Sequence, residues 1–323
     1  MPSNSYDLIS VVVLSYAPSK YYWRTLESVL AQTYPAIELI VSDDGSDEFE
    51  LEQIEEFIRI KKSKNIVRFI VRKNQKNVGI PAHDNIAAAI ASGKFIKFIA
   101  DGDVFCDEYS LERLYQFACE YEEWIVTSPC IVSNEEMTVD FYQYPSTRRV
   151  DILNSKELNK LYVTLAGNNI ISAVGCIFRK EFFLTGGFDE EYRYLEDWPC
   201  WLSTIRRGYR IPCAEKPVER YALSGISSAY STAFESPRLR HDLILCYEKE
   251  IIPNLSRLSC FTRYFVQYRY AMLKNELSTA KKIKFIPLVL YCKGKAWIKK
   301  QLLICKERGK DGKRIVFGRN RLL

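Results

Sequence analysis

Histidine is nearly absent. The 323-residue chain has two, His83 and His241, so a multi-histidine metal centre is excluded. None of its ten cysteines forms a Cys-x-x-Cys pair. That argues against zinc frameworks and disulfide scaffolds, and for free thiols in a reducing compartment; Cys119 and Cys176 fall at expected core positions. No apolar run reaches the roughly 18 residues of a membrane-spanning helix. Met1 to Asp7 is too polar, and Leu8 to Leu14 too short and β-branched, for a secretory leader. Internal repeats and low-complexity linkers are lacking as well. Acids are scarce at one end: from 281 to 323, 14 Lys and Arg face only Glu307 and Asp311. The net charge of +6 therefore resides in the tail, and the remainder is acidic.

What is present alternates. Leu8 to Leu14, Ile37 to Ser42, Ile66 to Val71 and Phe95 to Ala100 are apolar runs of buried-strand length. Between them lie segments of helical spacing. One carries Leu26, Val29, Leu30 and Thr33 and stops at Pro35. The next carries Leu51, Ile54, Phe57 and Ile58. An alanine-rich one has Ala82, Ile86, Ala89 and Ile90 inward and Gly93 as its cap. A further helix carries Leu111, Leu114, Tyr115 and Ala118. Strands alternating with helices predict a doubly wound, mostly parallel sheet. From Trp124 the rhythm changes. Short strands are expected at Trp124–Thr127, Val174–Phe178 and Tyr209–Ile211, and a helix from Trp198 to Arg207. Beyond Ser224 the text is helical and aromatic. The expected division is 1–225 as an α/β domain and 226–323 as a helical C-terminal region.

Three acidic stretches can carry chemistry. Asp43-Asp44-Gly45-Ser46 and Asp101-Gly102-Asp103 each end an apolar run, so a parallel sheet would bring both to one edge, where α/β folds bind ligands. A carboxylate at a strand tip can accept a uracil N–H. Paired carboxylates can hold a divalent cation against a diphosphate. Leu195-Glu196-Asp197-Trp198-Pro199-Cys200-Trp201 puts two acids at a helix start beside two indoles. One acid can serve as a general base for a hydroxyl, and a flat indole can receive sugar C–H groups. Taken singly, each stretch is equally an acidic turn or helix cap.

Five segments in order resemble family 2 glycosyltransferases of the GT-A fold: ISVVVLSY (Ile9–Tyr16), TLESVLAQTYPAIELIVSDDGS (Thr25–Ser46), NVG…N (Asn77, Gly79, Asn85), GKFIKFIADGD (Gly93–Asp103) and GGFDE…LEDWPCWL (Gly186–Leu202). The IADGD and EDWPCWL forms are most similar to bacterial transferases that build capsule, exopolysaccharide or O-antigen. The resemblance implies a GT-A domain and an inverting transfer from a nucleotide-diphosphate sugar, UDP-linked, to a glycan hydroxyl. Leu14, Ser15, Tyr16, Asp44, Asn77 and Gly79 match donor-binding positions. Asp101 and Asp103 match the Mn²⁺- or Mg²⁺-binding motif, and Asp197, with Glu196 beside it, matches the catalytic base.

The chain departs from that pattern. Gly102 stands where relatives carry the central metal aspartate, which leaves the role to Asp101 or Asp103, and Asp103 is favoured. Ala82-His83-Asp84 lacks a common arginine. Tyr221-Ala222-Leu223-Ser224 lacks both residues of a Tyr-Arg-x-His motif, leaving Arg220, Arg238 or His241 to contact diphosphate. In the tail, Trp297, Ile298, Ile304 and Cys305 share a helical face opposite Lys295, Lys299 and Lys306. That suits either an anionic membrane surface or packing on the body with a solvated lysine face. Membrane contact through 281–323 would fit a polyprenyl-diphosphate-linked acceptor and a cytoplasmic location at the inner membrane face. No nucleic-acid module accompanies the charge. Two other readings stand beside this one. A sugar-phosphate nucleotidyltransferase would need a glycine-rich basic loop that Leu14 to Pro18 does not supply. A non-catalytic synthase partner would account for the departures.

Overall fold

The computed structural model describes residues 6–222 and 237–276, with Phe285, Leu290, Gly294, Trp297 and Ile298 beyond them. The first half contains β1 (Ile9–Ser15), α1 (Tyr22–Leu30), β2 (Ile37–Asp43), α2 (Leu51–Lys61), β3 (Ile66–Lys73), α3 (Ile80–Ile90), β4 (Phe95–Ala100), β5 (Val104–Phe105) and α4 (Ser110–Cys119). Then follow β6 (Ile125–Val126), β7 (Cys130–Ser133), β8 (Asp140–Tyr144), α5 (Thr147–Leu153), α6 (Leu158–Gly167), β9 (Ile177–Arg179), α7 (Lys180–Leu184), α8 (Asp197–Arg206), β10 (Glu219–Ala222), α9 (Arg240–Cys246) and α10 (Cys260–Leu273).

The main sheet runs β3-β2-β1-β4-β9-β6. Its first four strands are parallel, and β9 is antiparallel to both neighbours. Both faces of β1 are covered, which is why its sequence is continuously apolar. Val11 and Val13 pack with Leu26, Val29 and Leu111, while Val12 meets Ile40, Ile96, Ala87 and Ala88 on the other side. Register aligns the strand ends: Ser15 lies opposite Asp43, and Leu14 opposite Ala100. Both acidic turns therefore leave one edge, as expected.

A second sheet, β5-β10-β7-β8, begins immediately after Asp103. α9 and α10 share a core with α6 and α8, where Leu243, Tyr247 and Val266 meet Trp198, Trp201 and Leu165. Among the described residues no helix is long and apolar enough to cross a membrane.

Several local expectations are corrected. Thr33 lies beyond α1 and is exposed. α3 buries Pro81, His83, Asp84, Ala87 and Ala88, while Ala89 is exposed. Its alanines give little contrast between faces, and two inward polar residues obscure the pattern. Gly93 is not a helix cap: α3 ends at Ile90, and a Cβ on Gly93 would lie 2.5 Å from the Ser10 nitrogen. Close backbone approach is what requires glycine there. Tyr209–Ile211 forms no strand; the bridge forms later, between Thr127 and Cys213. Cys119 is exposed at the end of α4, whereas Cys176 is buried.

Candidate active site

The β2 tip is held by its own chain. Asp43 accepts the Ser46 amide at 2.7 Å and the Ser46 hydroxyl at 2.6 Å, and Ser46 Oγ accepts the Ala17 amide at 2.7 Å. This fastens the loop after β1 to the Asp-Asp turn. The buried Asp44 carboxylate accepts Asn74 Nδ2 at 2.8 Å and the amides of Val78 and Gly79 at 3.0 and 3.1 Å. Those amides lead into the start of α3, where the first N–H groups have no intrahelical acceptor and a carboxylate is favoured. Beside them, the buried Ser15 Oγ has no hydrogen-bond partner among the described residues. Leu14 is half-buried and Tyr16 is 59% exposed. His83 Nε2 lies 2.8 Å from Ser42 Oγ, which also accepts from Arg72. Burial pushes the His83 pKa down, so Ser42 can donate to the neutral ring.

At the β4 tip the two aspartates differ. Asp101 spends both oxygens on Ser19, accepting its amide at 2.5 Å and its hydroxyl at 2.8 Å. Asp103 is buried, and its Oδ1 accepts the Ala222 amide at 2.8 Å. Its Oδ2 takes no hydrogen bond among the described residues. Burial, then the nearby Glu219 carboxylate, hold Asp103 well above the usual aspartate range. An acid in that condition gains by meeting a cation. Between them Gly102 adopts φ +94°, and a Cβ there would meet nothing within 4 Å. Arg24 donates to the Gly102 carbonyl at 2.8 Å, and its buried Nε has no partner among the described residues.

Asp197 opens α8, half-buried. Its Oδ2 accepts Asn169 Nδ2 at 2.7 Å, and its Oδ1 accepts the Trp198 amide at 2.5 Å. Burial raises its pKa against the pull of those donors. Glu196 is pushed well above the glutamate range by burial, then by Asp197, Asp84 and Asp242. Two ionised acids side by side are costly, so the pair can hold one charge where Asn169 stabilises it. The indoles expected to face sugar do not. Trp198 and Trp201 are 4% and 1% exposed, and Trp198 Nε1 donates to the Leu165 carbonyl at 2.8 Å. Their area stabilises the α6–α8 core instead.

The remaining predicted residues are also located. Asn77 Oδ1 accepts from Arg193 at 2.8 Å, and a Cβ on Gly79 would come within 2.7 Å of the Arg193 carbonyl. Asn85 pins the Gly186-Gly187 turn, donating to the Phe188 carbonyl and accepting its amide. Arg220 engages Asp140 and the Cys106 carbonyl; Arg238 and His241 are exposed. Leu223 and Ser224 lie outside the described residues. So do most residues of the expected tail helix, including Lys295, Lys299, Ile304, Cys305 and Lys306. Among the described residues, no group of three or more His, Cys, Asp or Glu could by itself hold a metal ion.

Sequence reading missed Ser19, Asn169, Asp242 and the partnership of Lys97 with Glu219. Only Lys97 left a signal, as a lysine inside an apolar strand. Its buried ammonium meets Glu219 at 2.6 Å and the Val174 carbonyl at 2.6 Å.

A parallel sheet with acidic turns at one edge and an acid-led helix beside it defines a GT-A-type transferase fold. The family model for glycosyl transferase family 2 matches residues 10–184, more than half of the chain, and the chain belongs to that family. An uncharacterized glycosyltransferase of Haemophilus influenzae is 27% identical over 84% of each chain. The Escherichia coli enzyme WfaP, a UDP-Glc:alpha-D-GlcNAc-diphosphoundecaprenol beta-1,3-glucosyltransferase, is 34% identical over 30% of this chain and 36% of its own. Other curated relatives are spanned for 13% to 60% of their length. S. aureus TarS 1-349 with UDP-GlcNAc superposes with a TM-score of 0.56 at 17% identity, over 94% and 92% of the two chains. The mannosyltransferase PcManGT of Pyrobaculum calidifontis, with GDP-Man and Mn²⁺, gives 0.59 at 14% identity, over 94% and 87%. These likenesses establish the GT-A fold.

Proposed function

We propose that this glycosyltransferase uses a UDP-linked sugar and a divalent cation, and transfers with inversion to a hydroxyl of a lipid-diphosphate-linked glycan. The observation that carries the reading is the contrast between two buried-edge acids. Asp103 keeps one oxygen at a strand tip without a hydrogen bond among the described residues, while Asp197 is held by Asn169 and the start of α8. Asp103, with Asp101 behind it, would hold Mn²⁺ or Mg²⁺. With at most two protein carboxylates, diphosphate oxygens and water would complete the shell, as is usual for Mg²⁺. When bound, the cation neutralises charge on the leaving diphosphate.

The chain's own residues do the rest. Asp44 and the loop Leu14-Ser15-Tyr16 flank the nucleoside. Arg24 Nε is available near the Asp101 turn. Asp197 accepts the proton of the acceptor hydroxyl as its oxygen bonds to the anomeric carbon. The bond from that carbon to the diphosphate oxygen breaks, through an oxocarbenium-like transition state. Asn169 keeps Asp197 ionised and oriented.

Names among the relatives support the reading: WfaP takes UDP-Glc and a diphosphoundecaprenol-linked acceptor, TarS is seen with UDP-GlcNAc, and one structural neighbour carries Mn²⁺. The tail adds charge complementarity to anionic lipid at the cytoplasmic face. Leu290, Trp297 and Ile298 are helical and exposed within it.

The test is a thermal-shift panel of UDP-glucose, UDP-galactose, UDP-N-acetylglucosamine and GDP-mannose, each with and without Mn²⁺. A stabilising UDP-sugar that requires Mn²⁺ is expected. Stabilisation by none, or equally without metal, overturns the donor reading.

A further inference from the structure

We infer that Asp242, in the helical region after the family-matched segment, is a positioning residue for the Glu196–Asp197 pair. One buried oxygen, Oδ2, accepts three consecutive backbone amides: Arg193 at 2.9 Å, Tyr194 at 2.6 Å and Leu195 at 3.1 Å. These amides immediately precede Glu196. Asp242 is 2% exposed, so its side of these hydrogen bonds is shielded from water.

The same three-residue stretch is held from the opposite side by the donor turn. The Arg193 carbonyl accepts the Ile80 amide at 2.8 Å, and its guanidinium donates to Asn77 at 2.8 Å. Asp44 in turn accepts the Val78 and Gly79 amides. A continuous set of hydrogen bonds therefore runs from the β2 tip, through the Asn77–Gly79 turn and Arg193–Leu195, to the residue before the base. Asp242 anchors its far end. With that oxygen removed, three backbone amides, that of Leu195 buried, lose their acceptor and the stretch must shift. Arg193 would still be tied to the donor turn, so the displacement falls on Glu196 and Asp197. A misplacement of about 1 Å can cost about 100-fold in rate. The donor, held at the strand tips, should be affected little. This inference rests on the assignment of Asp197 as base.

The experiment compares Asp242→Ala, Asp242→Asn and Asp242→Glu with wild type. Donor turnover is read as UDP release from the UDP-sugars of the panel above with Mn²⁺, and UDP affinity by calorimetry. Amide hydrogen exchange at 193–195 is read in parallel. Asp242→Ala should lower kcat by about 10- to 100-fold, change UDP affinity less than about threefold, and speed exchange at Arg193, Tyr194 and Leu195. Asp242→Asn keeps an acceptor oxygen and should recover most of kcat. Asp242→Glu folds with its carboxylate displaced and should lower kcat should the alanine variant not fold. Val266→Ala, a core truncation in α10, controls for stability loss and should keep kcat. Wild-type kcat in Asp242→Ala and Asp242→Glu overturns the inference, as does an equal kcat loss in Val266→Ala. Unchanged exchange at 193–195 does so even where turnover is immeasurable. Asp197→Asn separates the two readings: activity retained there refutes the base assignment, whereas its loss with wild-type Asp242→Ala refutes the positioning role alone.

Discussion

Lys97 Nζ and Glu219 Oε2 meet at 2.6 Å with both side chains fully buried, joining the central strand β4 to β10 of the second sheet. Burial pushes the Glu219 pKa up to about 7, against the pull of Lys97. Removing one member of such a pair strands a charge; removing both does not. Lys97→Met should cost about 3–5 kcal/mol, and Lys97→Met with Glu219→Leu should recover most of it, measured by urea unfolding. The sign of the pH dependence follows. Glu219 binds its proton more tightly folded than unfolded, so its contribution is present below the ordinary glutamate value and lost as pH rises through about 7. The Lys97→Met penalty should therefore be smaller at pH 5 than at pH 8. A pH-independent penalty would contradict this.

Asp103 and Asp101 should separate by mutation. Asp103→Ala removes the oxygen left without a hydrogen bond among the described residues and should abolish the Mn²⁺-dependent part of UDP binding. Asp101→Asn disturbs a carboxylate already occupied by Ser19 and should weaken that part less. Calorimetry of UDP with and without Mn²⁺ checks this; equal losses would return both aspartates to the metal.

Asp197→Asn should reduce kcat by at least about 10²-fold, the scale of general-base catalysis, with UDP affinity nearly unchanged. Lost UDP binding in this variant would contradict the base role.

The pH profile carries a separate expectation. Burial raises the Asp197 pKa, and a base works only when ionised, so the acidic limb of the kcat profile should lie above the ordinary aspartate value, with activity rising as pH rises. Asn169→Ala deletes a donor that favours the carboxylate and should move that limb to higher pH. A limb that stays in place would detach Asn169 from the site.

Two glycines should respond differently. Gly102→Ala meets open space and pays only for its positive φ, about 1–2 kcal/mol. Gly93→Ala would drive a methyl onto the Ser10 backbone and should cost more. Melting temperatures of the two variants decide it.

The sequence by itself determined the sheet and the positions of its acids. Strand runs such as Ile9–Leu14 and Phe95–Ala100 are long, apolar and β-branched or aromatic, and their ends are abrupt. Parallel winding then leaves one edge for both acidic turns, and this was legible without coordinates. The inward face of α3 was not, because alanine contrasts weakly with its neighbours and the polar His83 and Asp84 are buried. Nor was the fate of each carboxylate. Which oxygen of Asp103 is spoken for depends on Ala222, 119 residues away. What orients Asp197 is Asn169, in a loop without pattern, and what tethers the chain before it is Asp242 beyond the described end of β10. Hydrogen bonds of a few tenths of an ångström tolerance between distant segments are set by how the second sheet and α9 dock. No local propensity encodes that docking, so tertiary structure alone decided which acids are available for chemistry and which serve as anchors.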